Sequence, residues 1–312
     1  MCCAASSTWC TRLADAGPVG VLLMAYGTPA TPADVEAYYT HVRRGRQPTP
    51  EQLADLRRRY DAIGGTSPLL ERTRAQASGV QAALDEHGSF TVELGMKHAP
   101  PFIEDAVERL VESGVKRAVG VVLAPHYSRL SIGEYEERAR AAADGRLDVA
   151  MVPSWYDAPP YLAALAERVQ KALAALPSNT EVVFTAHSLP ARIVNEGDPY
   201  PDQLRWTAEA VAARAGVERW RVAWQSAGRT PEPWIEPDIG EVLDELAAGG
   251  DTDGVLVCPA GFTSDHLEIL YDLDIEASAR AHRLGLAFAR TESLNDDRRL
   301  CEAVANAVLD HA

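Results

Sequence analysis

Along this chain, short runs rich in Val, Leu and Ala alternate with longer stretches whose apolar residues recur at helical spacing. The runs are VGVLLMAY (19–26), FTVELGM (90–96), RAVGVVLAP (117–125), LDVAMV (147–152), TEVVFTAH (180–187), WRVAWQ (220–225) and GVLVCPA (254–260). They are nearly continuous in apolar residues rather than alternating, the pattern of strands buried on both faces. Between them, PADVEAYYTHVRRG, PFIEDAVERLVESG and YLAALAERVQKALAAL read as amphipathic helices. Strand alternating with helix predicts an α/β fold with parallel sheets covered by helices. Seven or eight strands would fit one sheet, but two doubly wound, Rossmann-like halves flanking a cleft fit better, because WYDAPPY (155–161) reads as a domain joint. This puts the first domain at 19–157, the second at 158–293 and a closing helix at 294–312 that packs back on the body. Residues 1–18 are expected to form a flexible tail.

The polar residues gain meaning from where they fall on this pattern. Tyr26 closes the first run, Lys97 and His98 follow the second, and His126 follows the third. Thr185 and His187 close the fifth, Gln225 and Ser226 the sixth, and Gly261 follows the seventh. All are at carboxyl ends of predicted strands, where open α/β sheets bind their ligands. One crevice between the halves is expected to collect them.

Composition narrows the partner classes. The 312 residues carry a net charge of −15, which argues against nucleic acid or anionic membrane as the main partner. No apolar run approaches the roughly 20 residues that span a bilayer, and residues 1–18 lack an apolar signal core. A cytoplasmic monomer without integral membrane contact is expected. Of the five cysteines, Cys2, Cys3 and Cys10 lie in the tail without zinc or ferredoxin spacing, and Cys258 ends an apolar run that reads as core.

Four features could carry chemistry. In TAHSLP, His187 stands at a strand end on a sharp turn, where imidazole can take a proton at neutral pH or bind a metal. In SDHLEILYDLDIE, Glu268, Asp272 and Glu276 are spaced four apart, so on an ideal α-helix they share one broad face. Such an array is either a solvated acidic face or a ladder of hard oxygen ligands for a divalent cation. Six arginines (43, 44, 46, 57, 58 and 59) fall within 17 residues, either as a solvated face or as anchors for an anionic ligand with several carboxylates. Ser67 and Tyr135 are candidate hydroxyl contacts, and Tyr26, Lys97 and Trp234 are further candidates to line a flat slot. Neither a Walker loop nor a glycine-rich dinucleotide loop occurs, so no nucleotide cofactor is expected.

Together these segments resemble the ferrochelatase family. The stretch VVFTAHSLPARIVNEGDPY (182–200) carries the family signature, and MAYGTP, YYTHVRRGR, RYDAIGGTSPL, GMKHAPPFIEDAV, WQSAGRTPEPW and GFTSDHLEILYD follow in family order. The resemblance implies two Rossmann-like halves and a porphyrin cleft, with Fe2+ as a substrate. It implies that His187 and Glu268 handle metal and protons at the inner site, and that Asp272 and Glu276 form an outer metal site near Arg59. Arg43, Arg59, Tyr60, Ser67 and Tyr135 match positions that hold the porphyrin and its propionates. Tyr26 in MAYGTP resembles the short ferrochelatases of Gram-positive type, which act on coproporphyrin III and in which this tyrosine can be an axial ligand to iron in the product. Some family members hold a [2Fe-2S] cluster with a cysteine set near the C-terminus. Only Cys258 and Cys301 lie outside the tail here, so no cluster is expected. The competing readings are a protoporphyrin IX ferrochelatase, a cobalt or nickel sirohydrochlorin-type chelatase, and a non-enzymatic porphyrin or haem carrier.

Overall fold

The computed structural model describes residues 17–228 and 230–312. The tail cysteines Cys2, Cys3 and Cys10 lie outside the described residues. Among the described residues eight strands form: β1 (Val19–Ala25), β2 (Phe90–Met96), β3 (Arg117–Val122), β4 (Asp148–Met151), β5 (Thr180–His187), β6 (Trp220–Gln225), β7 (Gly254–Cys258) and β8 (Ala287–Arg290). They make two four-stranded parallel sheets, ordered β2-β1-β3-β4 and β6-β5-β7-β8. The second sheet therefore repeats the topology of the first.

Each sheet has one place where the chain reverses its direction of winding, between β1 and β3 in the first and between β5 and β7 in the second. Helices connecting to opposite faces part at such a point and leave a crevice beyond the strand ends. His187 ends β5, and the segment carrying Gly261, His266 and Glu268 follows β7. Tyr26 follows β1 and His126 follows β3. The two reversal points thus supply the residues that the strand-end argument singles out.

The largest apolar cluster joins both halves, from Val19 and Leu23 in β1 to Phe184 in β5 and Leu256 in β7. Trp155 and Tyr161, on either side of the expected joint, sit inside it. Trp155 Nε1 donates to the Val122 carbonyl at 2.9 Å, and the Tyr161 hydroxyl donates across to the Ala260 carbonyl at 2.6 Å. The joint is packed rather than open. Pro159 begins the helix Pro159–Leu173, where proline's missing N–H removes nothing. The last helix, Arg298–Leu309, packs on both this helix and the helix Leu69–Leu84. Among the described residues no helix is long and apolar enough to cross a membrane.

Two local readings differ from the sequence pattern. β8 was not among the seven apolar runs because AFAR is four half-buried residues at a sheet edge, with too little burial to demand a continuous apolar stretch. The acidic segment is not an α-helix: Glu268–Ala277 is wound as a π-helix. A step of four overshoots a full turn in an α-helix. In the wider π winding, with its bonds spanning five residues, the same step falls just short of one turn. Glu268, Asp272 and Glu276 still share a face, but the drift between them has the opposite sense.

Gly261 marks where this segment crosses β5. Its N–H donates to the Thr185 carbonyl at 2.9 Å, and a Cβ there would lie 2.4 Å from Ala186 Cβ and 2.8 Å from Ala186 Cα. Because the obstacle includes backbone, it cannot rotate away. Gly261→Ala is expected to destabilise the protein by about 1–3 kcal/mol in urea unfolding. An unchanged midpoint would show that the crossing is loose.

Candidate active site

Two connected cavities open beyond the strand ends. The inner one has a volume of about 190 Å³, and Tyr26, Tyr60, Ser67, Tyr135, His187 and Glu268 are among its walls. The outer one, about 780 Å³, is lined by Tyr26, Arg59, Glu268, Asp272 and Glu276 among others. Tyr26, Tyr38, Leu267 and Glu268 border both, so Glu268 is part of the wall that the two share.

The chemistry centres on that carboxylate. Glu268 Oε1 lies 3.6 Å from His187 Nε2, and Oε2 lies 3.6 Å from His266 Nε2. Each ring turns its other nitrogen to a carbonyl: His266 Nδ1 to Ser264 O at 2.9 Å, and His187 Nδ1 to Ser188 O. A carbonyl only accepts, so in both rings Nδ1 carries hydrogen and Nε2 faces Glu268. The Tyr200 hydroxyl donates to the His187 carbonyl at 3.0 Å, fixing the strand end itself. Burial disfavours the Glu268 charge, but the two imidazoles and Arg59 outweigh it and hold the carboxyl below its usual range. Burial likewise opposes charge on His266, yet Glu268 beside it and the Ser264 carbonyl raise its pKa. This pair therefore favours imidazolium and carboxylate.

The ladder beyond Glu268 is under electrostatic stress. Burial raises the Asp272 carboxyl to about 6, with the Glu268 charge adding, while the Ser226 hydroxyl and Arg59 pull it down. Ser226 Oγ donates to Asp272 Oδ2 at 2.5 Å, and Arg59 Nη1 lies 3.4 Å from Oδ1. Gln225, buried at the end of β6, accepts from Thr185 Oγ1 at 2.8 Å and donates to the Glu268 carbonyl at 3.2 Å. The sheet thus grips the first turn of the π-helix.

The remaining candidates divide. Tyr60 and Tyr135 are buried, and the Tyr60 hydroxyl meets Thr28 Oγ1 at 3.2 Å. Burial pushes the Tyr60 phenol up to about 12, and it raises Tyr135 as well. The Tyr26 phenol is raised by desolvation in the cleft wall and then by Glu268, although 43% of the residue remains exposed. Trp234 has its ring 6.4 Å from that of His187. Lys97 turns away from the two cavities into a neighbouring groove, where it pairs with Glu134 at 2.6 Å and lies over the Tyr135 ring. Arg43 lies over the Tyr39 ring and lines neither cavity. Four of the clustered arginines (44, 57, 58 and 59) pair with carboxylates, so much of that cluster is internally neutralised. Cys258 and Cys301 are buried, and burial pushes their thiols up to about 12 and about 11.

His266 was not among the residues that the sequence pattern singled out. Its spacing two residues before Glu268 was visible, but its pairing depends on the turn at Ser264. Tyr200 and Gln225 also required the three-dimensional contacts. Among the described residues, no three His, Cys, Asp or Glu side chains converge as a ready-made metal cage. The site offers separated oxygen and nitrogen groups along a path rather than a closed coordination sphere.

Solved structures share this two-halved architecture. The sirohydrochlorin chelatase SirB from Bacillus subtilis subspecies spizizenii, in complex with cobalt, superposes with a TM-score of 0.58 at 14% identity, covering 95% of each chain. CbiX, an enzyme of sirohaem biosynthesis in denitrifying bacteria, gives 0.55 at 14% identity over 94% of this chain and 99% of its own. The fold is thus shared with these two enzymes. The ferrochelatase family model matches residues 18–312, and the chain belongs to the ferrochelatase family. A relative from Geobacillus kaustophilus (strain HTA426) is 46% identical over 299 residues, covering 93% of this chain and 95% of the relative. One from Bacillus subtilis (strain 168) is 42% identical over 300 residues, covering 93% and 97%. Both bear the name coproporphyrin III ferrochelatase.

The Asp272 shift has a measurable consequence for stability. Its folded pKa of about 6 lies above the ordinary aspartate value of 3.8, so the folded state binds more protons between those values. Ionised Asp272 therefore opposes folding at pH 7, and that penalty fades as pH falls from about 6 towards 3.8. Asp272→Asn is expected to stabilise the protein at pH 7 by roughly 1–3 kcal/mol in urea unfolding, with the gain vanishing near pH 4. A loss of stability at pH 7 would mean that the Arg59 pair outweighs the repulsion.

Proposed function

We propose that this protein is a coproporphyrin III ferrochelatase, a metal chelatase that inserts Fe2+ into coproporphyrin III and releases two pyrrole protons to give the iron porphyrin of a haem-forming route. The observation that carries the reading is the Glu268 carboxylate held between His187 and His266 in the wall that the two cavities share. The names of the two relatives support the substrate.

The reaction needs a proton acceptor beside the pyrrole nitrogens and a route for a doubly charged ion. His187 is the proposed base: its Nε2 faces the cleft, and its Nδ1–H is anchored on Ser188. A proton taken there meets Glu268, whose second oxygen faces His266, so the charge can be shared along three groups. Asp272 and Glu276, lining the outer cavity, are the proposed outer stations for the incoming cation, with Arg59 setting the charge of Asp272. Metal passing Asp272 would relieve the repulsion with Glu268, which favours transit over storage. Tyr26, which borders both cavities, is the proposed axial ligand to iron in the product. Tyr60, Ser67 and Tyr135 are proposed to hold the macrocycle from the inner cavity, with Trp234 beside His187. Arg59, which lines the outer cavity, is the proposed cationic partner of a propionate inside the cleft, and Arg43 and Lys97, which line neither cavity, are proposed to meet propionates that extend beyond it. Work in the cytoplasm as a monomer completes the proposal.

The test is anaerobic initial-rate measurement of Fe2+ insertion with coproporphyrin III and with protoporphyrin IX. The proposal expects coproporphyrin III to turn over faster, and His187→Ala to lower that rate by about 100-fold or more. Faster protoporphyrin turnover would overturn the substrate. Wild-type rates in His187→Ala would overturn the base, and haem binding without insertion would indicate a carrier.

A further inference from the structure

A π-helix of ten residues is an unusual winding, found mostly as single turns. Something must hold it against relaxation to the α form. Its front is gripped by Gln225 and Ser226. Its back meets Arg290, the last residue of β8, whose side chain is 16% exposed. Arg290 Nε donates to Asp274 Oδ1 at 2.6 Å and Nη2 donates to Asp274 Oδ2 at 2.9 Å, a two-pronged grip on the middle of the π-helix. Nη2 also donates to Asp265 Oδ1 at 3.1 Å, just before the helix begins. Nη1 donates to the Thr291 carbonyl at 3.1 Å and to Ser293 Oγ at 3.5 Å. A guanidinium has five N–H donors, and here five acceptors meet them.

Asp265 is fixed in turn. It accepts from Ser293 Oγ at 2.7 Å and Asn295 Nδ2 at 2.9 Å, while its own N–H donates to Asn295 Oδ1 at 2.9 Å. Arg290 therefore ties a rigid point before the helix to a point within it. That tie is sensitive to winding. An α-helix advances 100° per residue, whereas a turn of more than four residues advances less than about 90°. Over the six steps from Glu268 to Asp274 the two windings diverge by about 60° or more. Between Asp272, which Ser226 holds, and Asp274 the divergence is about 20° or more, and between the Glu268 carbonyl, which Gln225 holds, and Asp274 it is about 60° or more, so the Gln225 and Arg290 grips together favour the observed winding.

We infer that Arg290 is a positioning residue that locks the π winding of Glu268–Ala277 through Asp274 and Asp265, and so aims Glu268 and Asp272 along the cation path. The functional part of this inference rests on the ferrochelatase reading; the structural part does not. Groups that orient ligands from behind typically change metal affinity by about 10–100-fold when lost.

The experiment compares the full-length wild type with Arg290→Met, Arg290→Lys and Asp274→Asn. Hydrogen exchange is read on peptides across residues 268–277, and steady-state kinetics are read with Fe2+ and coproporphyrin III. Arg290→Met and Asp274→Asn are expected to speed exchange in that segment and leave the first sheet unchanged. The KM for Fe2+ should rise about tenfold or more, while the absorbance shift on porphyrin binding persists and kcat at saturating iron stays within about twofold. Arg290→Lys, which keeps the charge but not the fork, should fall between. If Arg290→Met does not fold, the other two variants decide. Unchanged exchange across 268–277 in a folded Asp274→Asn, or equal losses in kcat and both KM values, overturns the inference. If the wild type inserts no iron, the proposed function fails, and exchange alone still decides whether Arg290 holds the winding.

Discussion

The site depends on one buried negative charge. Glu268 is ionised in a desolvated place because an imidazole stands at 3.6 Å from each of its oxygens. Burial pushes the carboxyl the other way, and His187, His266 and Arg59 together overcome it. Asp272 shows the alternative: it lies in the field of Glu268 with weaker compensation, and its pKa rises to about 6. One helix thus carries a settled charge at the inner end and a frustrated one further out. On the proposed function, a doubly charged ion passing along the helix would answer both.

The fold places these groups by repetition. Two sheets of equal topology present their reversal points towards a shared crevice, and the common core fixes the distance between them. His187 comes from the end of β5, and Glu268 comes from the connection that follows its neighbour β7. The close crossing at Gly261 lets that connection pass directly beside Ala186. Packing without a side chain at one position therefore helps bring His187 and Glu268 to within 3.6 Å of one another.

The α/β class, seven of the eight strands and the strand-end location of the site were legible because buried parallel strands leave long apolar runs. His187 and Glu268 could be named for the same reason: each is set by its distance from a strand end. The π winding was not legible, because the spacing of Glu268, Asp272 and Glu276 suits either helix and the choice is made by contacts from β6 and β8. His266 was undervalued because its partner is fixed by a turn. The arginine cluster could be read as a solvated face or as anchors for an anionic ligand, and the pairing of Arg44 with Glu134 and of Arg57 with Glu36 was not legible because those partners come from other elements. Lys97 was placed correctly at a strand end, but a strand end does not say into which groove a long side chain turns.

The account stands on the Glu268 charge doing chemistry rather than holding the fold. The most direct measurement is Glu268→Gln, which keeps the shape and removes the charge. Coproporphyrin III binding and anaerobic Fe2+ insertion are followed in the same sample. The account predicts intact porphyrin binding with insertion reduced by about 100-fold or more. Insertion at the wild-type rate with porphyrin bound would contradict it.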